Sequence, residues 1–474
     1  MKVLYYTWTP LGNSDTGGGV AIYVKALLSH MISHPQYRIE PVFLSSGYYY
    51  DSSDDCYLRR ENDTIPNVKE YSIVNSPVIA PLAMMVSKLK SIKEDEVTKQ
   101  QIDLLLQKEG PFDVIHFESF EGISPNVLSL KEKYPTVKFV HSIHDYGIIC
   151  PNVRLWTINN KNCYLCQDKP KCKQCMQFLL QYSPSYFKGL RPKDANSISA
   201  NPSLLFKAKH KIIRQIRKLS WITYLASEKS FQEYRRYNID AINRYSDMEL
   251  CVSARVAEII EAAGISPSKI VVDYIGTKVA EQANYGCRTT PYSSSLTILF
   301  MGYGNIEKGI YCLLDALETI GEGIGKCIVL KLASRINDDV LQQRINSLKC
   351  HLKDVIVYNG YTHNDFPEIF GDVNLGVVPP LWEDNLPQVA IEMIANGIPV
   401  LASQNGGAHE LNSHPSFVFN GTDNLKSKII DIFNNRHLLE EYWLYTLKLT
   451  TMNNHIDNLV KLYTDDSIYT NKII

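Results

Sequence analysis

The hydrophobic pattern along the 474 residues forms two series of short apolar runs, each run stopping at polar residues. The first series is KVLYYT, EPVFLS, FDVIHFE, KFVHSIHD and ELCVS. Such runs are the form that strands buried on both faces of a parallel sheet take. After the first run, VAIYVKALLSHM sets Val20, Val24, Leu27, Leu28 and Met31 on one helical face. The stretch from Tyr48 to about Gln100 reads as irregular. The second series is LTILFMGYG, CIVLKLAS, VIVYNG, LGVVPP and IPVLAS, with IYCLLDALETI as a helix after its first run. Alternation in both halves predicts two doubly wound α/β domains, residues 1–288 and 296–445, facing each other across a cleft. The polar, turn-rich segment from Cys287 to Ser295 is the predicted linker.

Composition changes this picture little. Hydrophobic residues are 45% and charged residues 21%, ordinary for a soluble globular chain. A net charge of −1 gives no global field for nucleic acid, so none is expected as a partner. The start MKVLYYTWTP lacks a small-residue cleavage site and reads as a buried strand, and no apolar run reaches the ~18 residues of a spanning helix. A cytoplasmic setting is expected, so the eleven cysteines need an explanation other than disulfides.

In open α/β sheets ligands bind beyond the carboxyl ends of the strands, which makes the strand-end loops the candidate chemistry. TPLGNSDTGGGVAIYV puts Gly17, Gly18 and Gly19 before the first helix, where backbone N–H groups approach a phosphate or sugar closely; the plainer reading is a flexible turn. KFVHSI leads to His144-Asp145, a base, a sugar-binding donor or a structural pair. FMGYGNIEKGIYCLLDAL places Lys308-Gly309 at a helix start, where a lysine can hold a departing diphosphate without a metal. In EDNLPQVAIEMIANGIPVLASQNGG, Asp384 lies in a loop, Pro387 is pre-set for a first helical turn and Glu392 lies inside the helix. Asn396-Gly397 ends that helix.

Together these residues resemble the family-4 glycosyltransferases of GT-B fold. The resemblance runs through TGGGVAIYV, VHSIHD, FMGYGNIEKG, DNLPQVAIEMIANGIPV and QNGG, and SDMELCVSARVAEIIEAAGI is similar to the segment that closes that family's first domain. It implies transfer of a sugar from a nucleotide-sugar donor to a hydroxyl, with retained anomeric configuration and no catalytic metal. Carried over, Glu392 would hold the ribose hydroxyls, Asp384 the donor sugar with Asn385 and Leu386 beside it, and Lys308 the diphosphate. Gly18 and Gly19 would line the phosphate and acceptor side, and His144 would sit beside the transferring sugar. HIDNLVKLYTDD resembles the closing helix of the family, which implies that residues 446–474 return to the first domain. Two positions depart from the pattern: Asp384 is one methylene shorter than the usual glutamate, with Glu383 next to it, and Tyr303 stands where an arginine is often found.

Two further segments carry their own signals. In the Cys-rich insertion at about residues 150–176, Cys163-x2-Cys166 and Cys172-x2-Cys175 have spacing that suits a structural zinc, against free thiols or disulfides, with Cys150 as an alternative ligand. Lys161, Lys169, Lys171 and Lys173 would favour thiolates there. SLLFKAKHKIIRQIRKLSWITYL carries basic residues between Lys207 and Lys218 with apolar ones interleaved. That is either an amphipathic helix for an anionic bilayer or a core-facing helix with a solvated side. The reading is a glycosyltransferase acting on a glycan or lipid-linked acceptor in bacterial surface polysaccharide synthesis, peripheral on the inner membrane face. The alternatives are a non-catalytic GT-B-fold partner and a nucleotide-sugar epimerase.

Overall fold

The computed structural model describes residues 1–16, 18–53, 55–84, 88–164, 172–176, 227–290, 292–336 and 338–465. Among the described residues fourteen strands form two sheets. The first contains β1 (Lys2–Tyr6), β2 (Glu40–Ser46), β3 (Tyr57–Arg60), β4 (Lys69–Val74), β5 (Val114–Phe117), β6 (Lys138–Ile143), β7 (Met248–Cys251) and β8 (Ile270–Val272). Its order is β3-β4-β2-β1-β5-β6-β7-β8, and only β3 runs antiparallel to its neighbour. The second contains β9 (Leu296–Met301), β10 (Ile328–Ala333), β11 (Asp354–Tyr358), β12 (Leu375–Val378), β13 (Val400–Ser403) and β14 (Val418–Phe419), all parallel in the order β11-β10-β9-β12-β13-β14.

Every apolar run of both series forms a strand, and the central ones are buried along their length, as sheets covered on both faces require. Five helices position the site: α1 (Gly18–Ser33), α2 (Ala254–Ala262), α3 (Ile310–Glu318), α4 (Gln388–Ala395) and α5 (Met452–Thr464). On α1 the predicted stripe is buried at Val24, Leu27, Leu28 and Met31. The expected two-domain α/β architecture is present.

The stretch read as irregular, Tyr48 to about Gln100, contains β3, β4 and the start of a helix, Glu96–Glu109. Its strands were hidden by polar residues at buried positions. Glu70 in β4 is 3% exposed because the backbone N–H of Thr64 and Ile65 bind its carboxylate. The helix has a side-chain cap, Asp95, which accepts from the N–H of Val97 and Thr98.

The last described helix, α5, lies against α1, and residues 466–474 of the segment expected to return to the first domain lie outside the described residues. Tyr23 Oη is 2.5 Å from His455 Nε2, and His30 Nε2 is 2.9 Å from Asn453 Oδ1. The basic segment Lys207–Lys218 lies outside the described residues. Among the described residues no helix is long and apolar enough to cross a membrane.

Candidate functional site

The second sheet presents two loops side by side. One follows β9 and ends at Lys308-Gly309, with α3 beginning at Ile310. Gly309 has φ +78°, and a Cβ there would overlap the Pro379 carbonyl oxygen, so only glycine lets this helix start press against the second loop. That loop follows β12 and carries Trp382 to Pro387 into α4. Pro387 is the cap rather than a first-turn residue, with the helix opening at Gln388. Asn396 and Gly397 (φ +76°) end it where expected.

The two loops meet through charge. Lys308 Nζ lies 2.6 Å from Asp384 Oδ2, with the lysine side chain 29% exposed and the aspartate 11%. The ammonium also sits 5.2 Å from the Trp382 ring centroid. Beside the pair, Asn385 is 4% exposed, and neither its Oδ1 nor its Nδ2 has a hydrogen-bond partner among the described residues. Leu386 is buried in the same loop. Glu392, half-buried on α4, lies near Tyr361: burial first, then the charge of Glu392, pushes the Tyr361 hydroxyl up to about 12.

Glu383 and Asp384, adjacent in sequence, do different work. Arg255 grips Glu383 by two bonds, Nε to Oε2 at 3.0 Å and Nη2 to Oε1 at 2.8 Å, and the N–H of Gly406 donates to Oε2 at 2.9 Å. Burial opposes ionisation of Glu383, but Arg255 and these bonds hold its carboxyl below the usual range. Glu383 is therefore committed to a tie between domains, and Asp384 is the carboxylate beside Lys308. Gly406, φ +75°, allows this: a Cβ there would overlap the Asp384 carbonyl oxygen. That is the physical reason for the first glycine of the GG pair.

The first sheet faces this loop. The Gly19 carbonyl accepts from Gln388 Nε2 at 3.0 Å, bringing Gly18 and Gly19, both exposed, against the start of α4. Arg154 Nη1 reaches Glu307 Oε1 at 2.6 Å, and Asn162 Nδ2 donates to the Leu381 carbonyl at 3.0 Å. Glu410 caps α2 from the other domain, accepting from the N–H of Ala254 at 2.8 Å and of Arg255 at 2.7 Å. In the first domain, bordered on one side by Glu383, lies a cavity of about 320 Å³ lined by Ile149, Leu155, Cys163, Tyr164 and Arg255 among others.

His144, at the carboxyl end of β6, is largely enclosed. Its Nε2 is 2.8 Å from Glu118 Oε2 and its ring is 5.2 Å from that of Tyr23. The neighbouring Asp145 is raised by burial and lies near Glu121, which is raised by burial and by Asp145 in turn. Glu118, Tyr146, Arg255 and Trp382 surround the site and were not singled out from sequence. For Glu118 a signal existed: FDVIHFE ends with a glutamate just past a buried strand, where only a partnered carboxylate is tolerated.

Of the proposed zinc ligands, Cys163, Cys172 and Cys175 are described and Cys166 is not. The ten described cysteines are free, and among the described residues no three or more His, Cys, Asp or Glu form a group that could hold a metal. Of the four lysines expected to favour thiolates, Lys169 and Lys171 lie outside the described residues, as Cys166 does. Burial pushes the Cys163 thiol up to about 12, with Cys150, Cys172 and Cys175 adding to it. Arg235 Nη2 lies 3.3 Å from the Cys172 sulfur.

Residues 288–445 match the family model of the glycosyl transferases group 1. No curated protein matches the chain. Among solved structures, the lipopolysaccharide outer core galactosyltransferase WaaB, apo form, is 12% identical, covering 100% of each chain with a TM-score of 0.55. Sucrose-phosphate synthase from Thermosynechococcus elongatus is 14% identical over 100% of this chain and 97% of that one, TM-score 0.53. Anabaena Alr3699/HepE in complex with UDP is 13% identical over 100% of this chain and 98% of that one, TM-score 0.51. The likenesses give the fold, the two-domain α/β architecture of GT-B glycosyltransferases, and the family match over the second sheet marks the chain as a glycosyltransferase.

Proposed function

We propose that this chain transfers a sugar from a nucleotide-sugar donor to a hydroxyl of a glycan or lipid-linked acceptor with retention at the anomeric carbon, in the manner of family 4, and serves bacterial surface polysaccharide synthesis at the inner membrane face. The observation that carries the donor part is the Lys308–Asp384 pair with the buried, unpartnered amide of Asn385 beside it. A buried amide without partners costs free energy unless a ligand satisfies it. In this reading Lys308, at the start of α3, stabilises the departing diphosphate, and Asp384 and Asn385 bind sugar hydroxyls. Glu392 on α4 accepts from the ribose, and His144 faces the transferring sugar from the first domain. HepE, whose structure contains UDP, shares this architecture.

The test is nucleotide release from a panel of UDP-, GDP- and ADP-sugars. Slow release by the unaltered chain and none by Glu392→Ala supports the enzyme. A second reading, a non-catalytic GT-B partner, draws on Tyr303, which is 64% exposed where an arginine is often found. Absence of binding to every donor favours it. A structural zinc held by Cys163, Cys166, Cys172 and Cys175 is a separate proposal, and metal analysis of purified protein with no zinc near stoichiometry ends it.

A further inference from the structure

His144 is the first-domain residue whose side chain this reading sets beside the sugar, and the structure shows what holds it. Glu118 directly follows β5 and its side chain is fully buried. One carboxylate oxygen lies 2.8 Å from His144 Nε2; the other is 3.9 Å from His116 Nε2 and has no hydrogen-bond partner among the described residues. His116, also fully buried, is pinned at both ends: Nε2 is 2.7 Å from Ser142 Oγ, and Nδ1 is 2.5 Å from the Tyr463 hydroxyl on α5. Tyr463 continues to Tyr5 on β1 at 3.3 Å. Adjacent strands β1, β5 and β6 therefore build one polar chain under the His144 loop, and the last described helix closes it.

The charges are legible from the surroundings. Burial lowers His116 to about 4, so it is neutral near pH 7. Burial also opposes ionisation of Glu118, but His116 and the bond to His144 outweigh it and bring the carboxyl down to about 2. An isolated ionised carboxylate in this position would be very costly, and the donor it holds is the imidazole of His144.

We propose that Glu118 is a positioning residue for His144: it takes the Nε2 proton of the imidazole in a hydrogen bond, fixes the ring orientation, and leaves Nδ1 as the nitrogen presented to the ligand. His116, fixed in place by Ser142 and Tyr463, packs beside the carboxylate at 3.9 Å. A carboxylate behind an imidazole fixes its tautomer and supports positive charge on the ring, which matters where a diphosphate departs. The inference rests on the reading of His144 as a site residue. It goes beyond that reading in naming the tautomer and the group that sets it.

The test is a double-mutant cycle with Glu118→Gln and His144→Ala, read by nucleotide release. Glu118→Gln is expected to lower kcat about 10- to 100-fold with the donor KM within about twofold. It should cost little more when His144 is already alanine. Additive losses would overturn the proposal. So would a KM effect equal to the kcat effect. Imidazole ¹⁵N shifts of His144 give a readout independent of activity: the Nε2–H tautomer is expected in the unaltered chain. An Nδ1–H tautomer there overturns the proposal even if no donor is ever found. An inactive chain with the Nε2–H tautomer would fail the functional reading alone. Should Glu118→Gln not fold, Tyr463→Phe applies the same cycle from the far end of the chain of contacts.

Discussion

The two walls of the cleft are built on opposite principles. On the first-domain side Glu118 backs His144 and His116 beside it binds Ser142 and Tyr463, contacts of 2.5 to 2.8 Å among side chains 7% exposed or less. On the second-domain side Lys308 is part-exposed and paired with Asp384, and the Asn385 amide has no hydrogen-bond partner among the described residues. One wall is ordered before any ligand arrives; the other leaves bonding capacity for the ligand to use. Preorganised groups cost no rearrangement during reaction, whereas groups left unsatisfied convert ligand contact into binding free energy. The difference teaches that substitutions on the first side should show as lost structure and turnover, and on the second as lost turnover or affinity with the fold intact.

The sharpest test removes the second-side cation. Lys308→Ala should lower kcat by about 10²- to 10³-fold in nucleotide release, the scale for one charge-stabilising donor. A loss under tenfold would mean another cation holds the diphosphate. On the first side, His116→Ala strands Glu118 and Tyr463 in the interior. Chemical denaturation should show a loss of about 2–4 kcal/mol, against little change for Lys308→Ala. Equal losses at both positions would erase the contrast.

The tie between the walls comes next. Glu383→Gln breaks the two-bond grip of Arg255, a half-buried pair, and should cost about 2 kcal/mol. The sign with pH follows from the lowered folded-state pKa of Glu383. Its contribution is fully present above the ordinary carboxylate value of 4.5 and is lost as pH falls through the folded value. The stability gap between the unaltered chain and Glu383→Gln should therefore close below about pH 4.5 and stay constant above it. A gap that widens on acidification would refute the assignment. The smallest effect is expected at the idle amide. Asn385→Ala should raise the donor KM about tenfold, since ~1.4 kcal/mol is one such contact, while leaving the ligand-free thermal midpoint unchanged or higher.

How much of this was legible in the sequence follows the same division. The second wall could be read because its chemistry is compact in sequence. Lys308-Gly309 and the run from Asp384 to Glu392 each occupy one loop and one helix start, so each motif stands whole in the sequence, and the resemblance to a known family is what joined the two. The strands were legible because parallel sheets covered on both faces demand unbroken apolar runs. The first wall was not, apart from His144. Its members come from residues 5, 116, 118, 142 and 463, joined only by the strand order and by α5. Periodicity carries no such long-range pairing. Glu383 was ambiguous for a related reason: neighbours in sequence point to different partners, and only the position of Arg255 on α2 separates them.

The bond between Tyr463 and His116 has a consequence for how the chain is made. The helix bearing Tyr463 is synthesised after all six strands of the second sheet, so on the ribosome the first lobe emerges with His116 lacking its capping hydroxyl. His144 therefore acquires its final backing only once both sheets have been delivered, and a product that stops short of α5 is left without a finished site.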